Sequence, residues 1–437
     1  MIYKNIILIS LAFSIRAIYI FFQDIKSLDG LIEDEIMYWV NSLSFIETGK
    51  LNENIINERM PGVFYYFKAL IILASKNLLF VILIQALIDS LSCLMLYKIT
   101  ELVLPKYKKI VFGFASLSPL MIILSSQILS ETIFLFIFII FIYFLLKVLL
   151  TEKNIYINIA LAGLFLGLSC NIRSITFPLI FLSIIPLLIV LLNKRVKNFK
   201  LFLLSSLFLI FAIMPIYNRL NNNFKNHESF SLTTQTGTHM AYWVTPLILS
   251  ETKNINRNEA LEIVNEYKKK YTFSEDAFQN DLKLRKISFE ILSEINKIEL
   301  IYYWVRGIVL NLTAPSILID KKLRTLPHPS YYEAGNLMLW LKALVKDSSY
   351  YNYLFLILVA AITSIYTLLS LFIGPIIVYQ LNRTIFSLTL LYVLYFMFIT
   401  GPVLSPKYIF PILPCIFFYQ GITFYECYKY LRKFIKI

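Results

Sequence analysis

The sequence predicts an all-α polytopic membrane protein with about 10–12 transmembrane helices and a small polar domain on one side of the bilayer. Three observations predict it. Of 437 residues, 58% are hydrophobic and only 16% charged, with 29 Tyr and 36 Phe, where a soluble domain is about one quarter charged. Mean hydropathy is +0.70. Apolar runs long enough to cross a hydrocarbon core recur, and basic residues gather in every second connection between them.

The elements follow in order. Apolar runs occupy residues 5–22, 78–102, 110–127, 130–150, 155–171, 175–192, 199–217, 352–378, 384–403 and 408–427. About 20 residues at roughly 1.5 Å rise span a core of about 30 Å, so each run is a candidate span. Stretches 63–75 and 299–318 are shorter or interrupted and fit either interfacial helices or further spans. The first run holds Arg16 in its middle and lacks a small-residue cleavage site, which predicts an uncleaved span with a cytoplasmic N-terminus.

Placing that N-terminus inside makes the inner connections PKYKK (105–109), KVLLTEKN (147–154), NKRVKNFK (193–200), QLNR (380–383) and the tail YKYLRKFIKI. All are basic, as cytoplasmic connections should be. The net charge of +14 is therefore a topology signal, and nucleic acid is not an expected partner. The predicted division is a transmembrane module over 1–217 with a first outer loop at 24–77, an extracytoplasmic domain over 218–350, and C-terminal spans over 351–437. The four cysteines show neither metal spacing nor a disulfide framework.

Unusual polar residues fall on the predicted outer side. The stretch LIEDEIMYWVNSL (31–43) puts Glu33, Asp34 and Glu35 directly after the first span. Glu58 and Arg59 stand in the same loop, Glu131 opens the fourth span, Arg173 lies between the fifth and sixth, and Lys407 and Tyr408 precede the last. Ionisable groups at or within spans point to a functional site, with headgroup snorkelling as the alternative. Glu131 also suits a helix N-terminus for dipole reasons alone.

These residues carry a resemblance. Asp34-Glu35 with Tyr38 resembles an Asp-Glu-x-x-Tyr pattern; Arg59-Met60-Pro61-Gly62-Val63-Phe64-Tyr65-Tyr66 resembles an Arg/Lys-Pro-Pro-x-Tyr segment. SSQILSETIFLF carries a second acidic motif at Glu131, and LAGLFLGLSCNIRSITFPLI (161–180) a span followed by Arg173. SPKYIFPILP (405–414) resembles an Arg-Tyr-x-x-Pro-x-x-Pro element, and FSLTTQTGTHMAYWV (230–244) the start of an outer domain. The order is similar to that of the GT-C membrane glycosyltransferases, in the bacterial branch (glycosyltransferase family 39-like) with protein O-mannosyltransferases and lipid A aminoarabinose transferases. Met60 and Lys407 depart from the pattern, where proline and arginine are usual.

The resemblance implies a GT-C fold in a bacterial cytoplasmic membrane and transfer of a sugar from a polyprenyl-phosphate donor, on the outer face, to a hydroxyl of a lipid, glycan or protein. It implies Asp34 and Glu35 as the catalytic pair, with Asp34 as general base and Glu35 orienting Asp34, binding the acceptor or holding a cation. Arg59, Arg173, Lys407 and Tyr408 would hold the donor phosphate, and Glu131 and Glu58 would supply acidity in the same cavity. No metal site is expected from His227, His239 and His328, although the carboxylates could take a divalent cation. The absence of a Trp-Trp-Asp motif favours a single-sugar donor over a lipid-linked oligosaccharide. Two other classes fit the span count: a surface-polysaccharide polymerase or ligase, and a lipid-linked sugar transporter. The first usually lacks an Asp-Glu pair after its first span, and the second tends to show internal repeats, which this sequence does not.

Overall fold

In the computed structural model, all residues are described except 1, 25–29, 33, 152, 194–196, 331–333, 335, 404 and 436–437. Among these the chain is helical, without strands. The helices are α1 (Ile2–Gln23), α2 (Asp34–Thr48), α3 (Glu53–Glu58), α4 (Pro61–Leu73), α5 (Leu78–Val103), α6 (Lys108–Ser116), α7 (Pro119–Ser125), α8 (Glu131–Leu150), α9 (Ile155–Ile172), α10 (Phe177–Leu182) and α11 (Ile184–Asn193). They continue with α12 (Asn198–Ile213), α13 (Tyr217–His227), α14 (Gln235–His239), α15 (Thr245–Lys253), α16 (Arg257–Lys268), α17 (Ala277–Ser293) and α18 (Lys297–Thr313). The last are α19 (Leu337–Lys346), α20 (Tyr351–Leu381), α21 (Arg383–Thr400) and α22 (Leu413–Ile435).

Among the described residues eight helices are long and apolar enough to cross a membrane, or nine if the bent pair at 105–125 is one span. The sequence predicts about ten. The difference lies in two broken runs. The run 110–127 becomes α6 and α7, bent by 53°. Pro119 causes the break, because it has no N–H for the carbonyl of Ala115 and its ring clashes with it. The run 175–192 becomes α10 and α11.

Packing shows that both broken runs traverse the bundle. Along α5 and α6–α7 the partners run in opposite order: Glu101 binds Lys108, and Gln85 reaches Ser125 and Gln127. α9 and α12 pack through glycine: a Cβ on Gly163 would lie 2.3 Å from the carbonyl of Phe208, and one on Gly167 2.2 Å from that of Ala212. Both numbers rise together, so α9 and α12 are parallel. The chain between them must therefore return across the bundle, and 174–193 carries it.

A broken span exposes backbone carbonyls where there is no water to satisfy them. The polar residues of α1 and α5 do so instead. Arg16, fully buried, donates from Nη1 to the carbonyls of Ala12 (3.0 Å) and Ser116 (3.2 Å), the last residue of α6. Its Nε donates to Asp89 Oδ2 at 2.5 Å. One turn away on the same face of α5, Gln85 donates to the carbonyls of Ser125 (3.1 Å) and Gln127 (2.5 Å) past the end of α7. Arg16 thus has a structural reason to stand mid-span.

The 218–350 region holds a second hydrophobic core, built from α15, α16 and α17 around Ile248, Val264, Ile287 and Ile291. The helical run from Asn198 continues to His227, past the expected boundary at 217. α18 carries an exposed apolar stripe (Ile298, Ile301, Tyr302, Val305) and packs its other face on α20 and the 401–412 segment. The ends of α1, α7, α9, α13 and α21, and the starts of α5, α8, α20 and the last span, share one end of the bundle.

Candidate functional site at one end of the helix bundle

The polar residues of five connections meet at that end. Asp34 is the first residue of α2, and its side chain is 48% exposed. Arg59 follows α3, where its N–H caps the helix by donating to the Ile55 carbonyl. Arg59 Nη2 lies 3.2 Å from Asp34 Oδ1. The Arg59 Nε is buried and has no partner among the described residues.

α4 begins at Pro61, which suits the first helical position because its missing N–H would be unpaired there anyway. Gly62 is pressed against the end of α9, where a Cβ would lie 2.4 Å from the Asn171 carbonyl. That contact sets Arg59 beside Arg173, which follows α9 in extended conformation. Arg173 Nη1 is 2.8 Å from Oε1 of Glu131, the first residue of α8 and only 5% exposed. A carboxylate at a helix N-terminus beside a guanidinium is doubly favoured. Arg173 also stands over the Phe134 ring at 5.8 Å.

Lys407 and Tyr408 lie in a short 3₁₀ segment, Pro406–Ile412, that opens the last span. Buried Asn311 in α18 fixes the turn before it: its Nδ2 donates to the Val403 carbonyl (2.8 Å) and its Oδ1 accepts from Ser405 N (2.9 Å). Gly401 takes φ +40° there against Trp304, where a side chain would collide with the indole. The charges of Arg173 and Lys407 both act on Glu131, and those of Arg173, Glu131, Arg59 and Asp34 on Tyr408.

Two further residues belong here. Tyr38, one turn along α2 from Asp34, is buried; burial pushes its phenol up and Arg59 opposes this, so the phenol keeps its proton and can donate a hydrogen bond. His239 ends α14. Burial lowers its pKa first, and Arg59 and Arg173 lower it further, so the ring is neutral at pH 7. From the sequence alone, His239 is considered only as a metal ligand. Its signal lay in the 230–244 segment, which carries His239 to within reach of the charges of Arg59, Arg173 and Asp34.

The structure therefore brings together Asp34, Arg59, Glu131, Arg173, Lys407 and Tyr408. It does not bring Glu35 or Glu58 to them. Glu58 is exposed at the end of α3. Glu35 is 1% exposed and turned into the protein, where it accepts from Lys321 Nζ at 2.6 Å and Ile128 N at 3.0 Å. Consecutive helix residues point about 100° apart, so burying Glu35 turns Asp34 outward. Glu33 lies outside the described residues. Among the described residues no group of three or more His, Cys, Asp or Glu side chains could hold a metal ion.

Neither a family model nor a curated protein matches the chain. Among solved structures it is similar to ArnT from Cupriavidus metallidurans, with 12% identity and a TM-score of 0.39 to the apo state. To the same protein bound to undecaprenyl phosphate it has 11% identity and a TM-score of 0.41. In both, the likeness covers 95% of this chain and 77% of that one.

Proposed function

We propose that this protein is a membrane glycosyltransferase of the GT-C type that moves a sugar from a polyprenyl-phosphate donor to a hydroxyl acceptor on the outer face of a bacterial cytoplasmic membrane. One observation carries the reading: an exposed carboxylate, Asp34, stands beside Arg59 of its own loop, at the end of the bundle away from the basic loops, where Arg173 and Lys407 from two other connections act on Glu131. The basic loops support an outward-facing site. The motif order from Asp34 to Lys407 supports the donor class.

The chemistry needs two devices. The leaving phosphate must have its charge neutralised, and the attacking hydroxyl must lose a proton. Arg173, held by Glu131, and Lys407 supply the first, with Arg59 adding its Nε, which has no partner among the described residues. Tyr408 and Tyr38 are hydrogen-bond donors to the same oxygens. Asp34 supplies the second, and Arg59 orients it. The acceptor oxygen bonds to the anomeric carbon as the bond from that carbon to the phosphate oxygen breaks. The hydroxyl proton passes to Asp34, and the electron pair leaves with polyprenyl phosphate.

The test is sugar transfer by the purified full chain in proteoliposomes holding a polyprenyl-phosphate-linked monosaccharide. Asp34→Asn, with expression and thermal midpoint checked, is expected to lower kcat by about 10²–10⁴-fold, as for removal of a general base. Unchanged transfer removes Asp34 from this role. Movement of the lipid-linked sugar between leaflets without transfer replaces the enzyme reading with a transporter.

A further inference from the structure

We propose that the segment Ile319–Lys322 is a strap that positions the site, and that Glu35 and Lys321 are positioning residues through which it sets Asp34 and Glu131. The proposal rests on the glycosyltransferase reading for its activity readout only.

Four consecutive residues tie three separate parts of the chain. The Ile319 carbonyl accepts from Gln127 Nε2 at 2.8 Å. Asp320, fully buried as a residue, accepts from Tyr19 and from Gln23 Nε2 (2.9 Å) at the end of α1. It also accepts from the backbone N–H groups of Lys322 (2.9 Å) and Leu323 (2.6 Å), which closes the strap's own turn. Lys321 Nζ donates to the Gly30 carbonyl and to Glu35 Oε2, both at 2.6 Å. Lys322 Nζ donates to the Phe22 carbonyl at 2.7 Å.

Glu35 is the centre of this arrangement. It neighbours Asp34 in the first turn of α2, and its two oxygens serve different elements. Oε2 takes Lys321 and Ile32 N (3.2 Å), while Oε1 takes Ile128 N, three residues before Glu131. One buried carboxylate therefore fixes the distance between the two turns that present Asp34 and Glu131. Lys321 holds it in place at 2.6 Å. A carboxylate used only as a loop ornament would be solvated. This one is withdrawn from water and takes three donors, and the cation beside it comes from a distant part of the chain.

The test uses the full chain in proteoliposomes. Lys321→Met and Glu35→Gln are each expected to lower kcat by about 10- to 100-fold, the size of effect a misplacement near 1 Å produces. The KM for the lipid-linked donor should stay within about twofold, because the cations that hold the phosphate are untouched. The double variant should be no worse than the worse single, as for residues acting as one unit, and Lys321→Arg should restore most of kcat. Lys321→Gln, which keeps a donor for Glu35, replaces Lys321→Met if that variant does not accumulate. A second readout needs no activity: the rate at which an impermeant maleimide labels Asp34→Cys should change by about threefold or more on adding Lys321→Met. Single effects that multiply in the double variant, a KM that rises with the fall in kcat, or an unaltered labelling rate overturns the strap. Absence of sugar transfer by the native chain overturns the glycosyltransferase reading and leaves the strap to be judged by the labelling.

Discussion

At the scale of single residues, the site pairs cations with carboxylates. Arg59 faces Asp34 and Arg173 faces Glu131. Glu131 is buried against Arg173, whereas Asp34 is half exposed and open to a ligand. Exposure therefore separates the two acids. His239 gives this a pH signature. Burial and two arginines hold its pKa below the usual 6.5. A bound phosphate would bring negative charge to the same place and raise it. Donor binding then takes up a proton, so affinity rises as pH falls from above the bound-state pKa to below the free one. The expected outcome is a KM for donor that decreases over that window in the native protein and is flat in His239→Gln. A native KM without that slope, or the same slope in both proteins, would show that His239 does not face the phosphate.

At the scale of elements, the sequence showed most of what it could. Runs such as 130–150 read directly as helices because lipid-facing and core-facing positions are both apolar. It did not show which runs would break. Pro119 was visible, but the need for Arg16 and Gln85 to satisfy the freed carbonyls depends on α1 and α5 lying alongside, which no local pattern encodes. The Glu35–Lys321 link was hidden for the same reason: partners far apart in sequence leave no periodicity. The broken span yields a stability prediction. Arg16→Leu leaves Asp89 buried and unpaired, which costs about 3–5 kcal/mol. Removing both charges in Arg16→Leu/Asp89→Leu should recover most of that and leave a residue of about 1–3 kcal/mol for the orphaned Ser116 carbonyl. The thermal midpoint in detergent checks it, with the order native, double, single; a double variant no better than the single would assign the cost to the carbonyls instead of the charge.

At the scale of the whole molecule, everything depends on which helix ends lie together. Parallel packing of α9 and α12 through Gly163 and Gly167 requires the short, broken 174–193 segment to carry the chain across the membrane. Without that passage every later connection would change sides, and Arg173 and Lys407 would lie on opposite faces. With it, the basic connections at 105–109, 147–154 and 380–383 share one face, and the ends that carry Asp34, Glu131, Arg173 and Lys407 share the other. Single cysteines in a background lacking the native four decide the matter. In intact cells, impermeant reagent should label positions 34, 173 and 407 and spare 108, 197 and 383, which label only after the membrane is opened. The pair 173 and 197 is the sharpest comparison, because a re-entrant 174–193 segment would put both on the same face. In that case the cations could not surround one phosphate, however well each is seated in its own helix end.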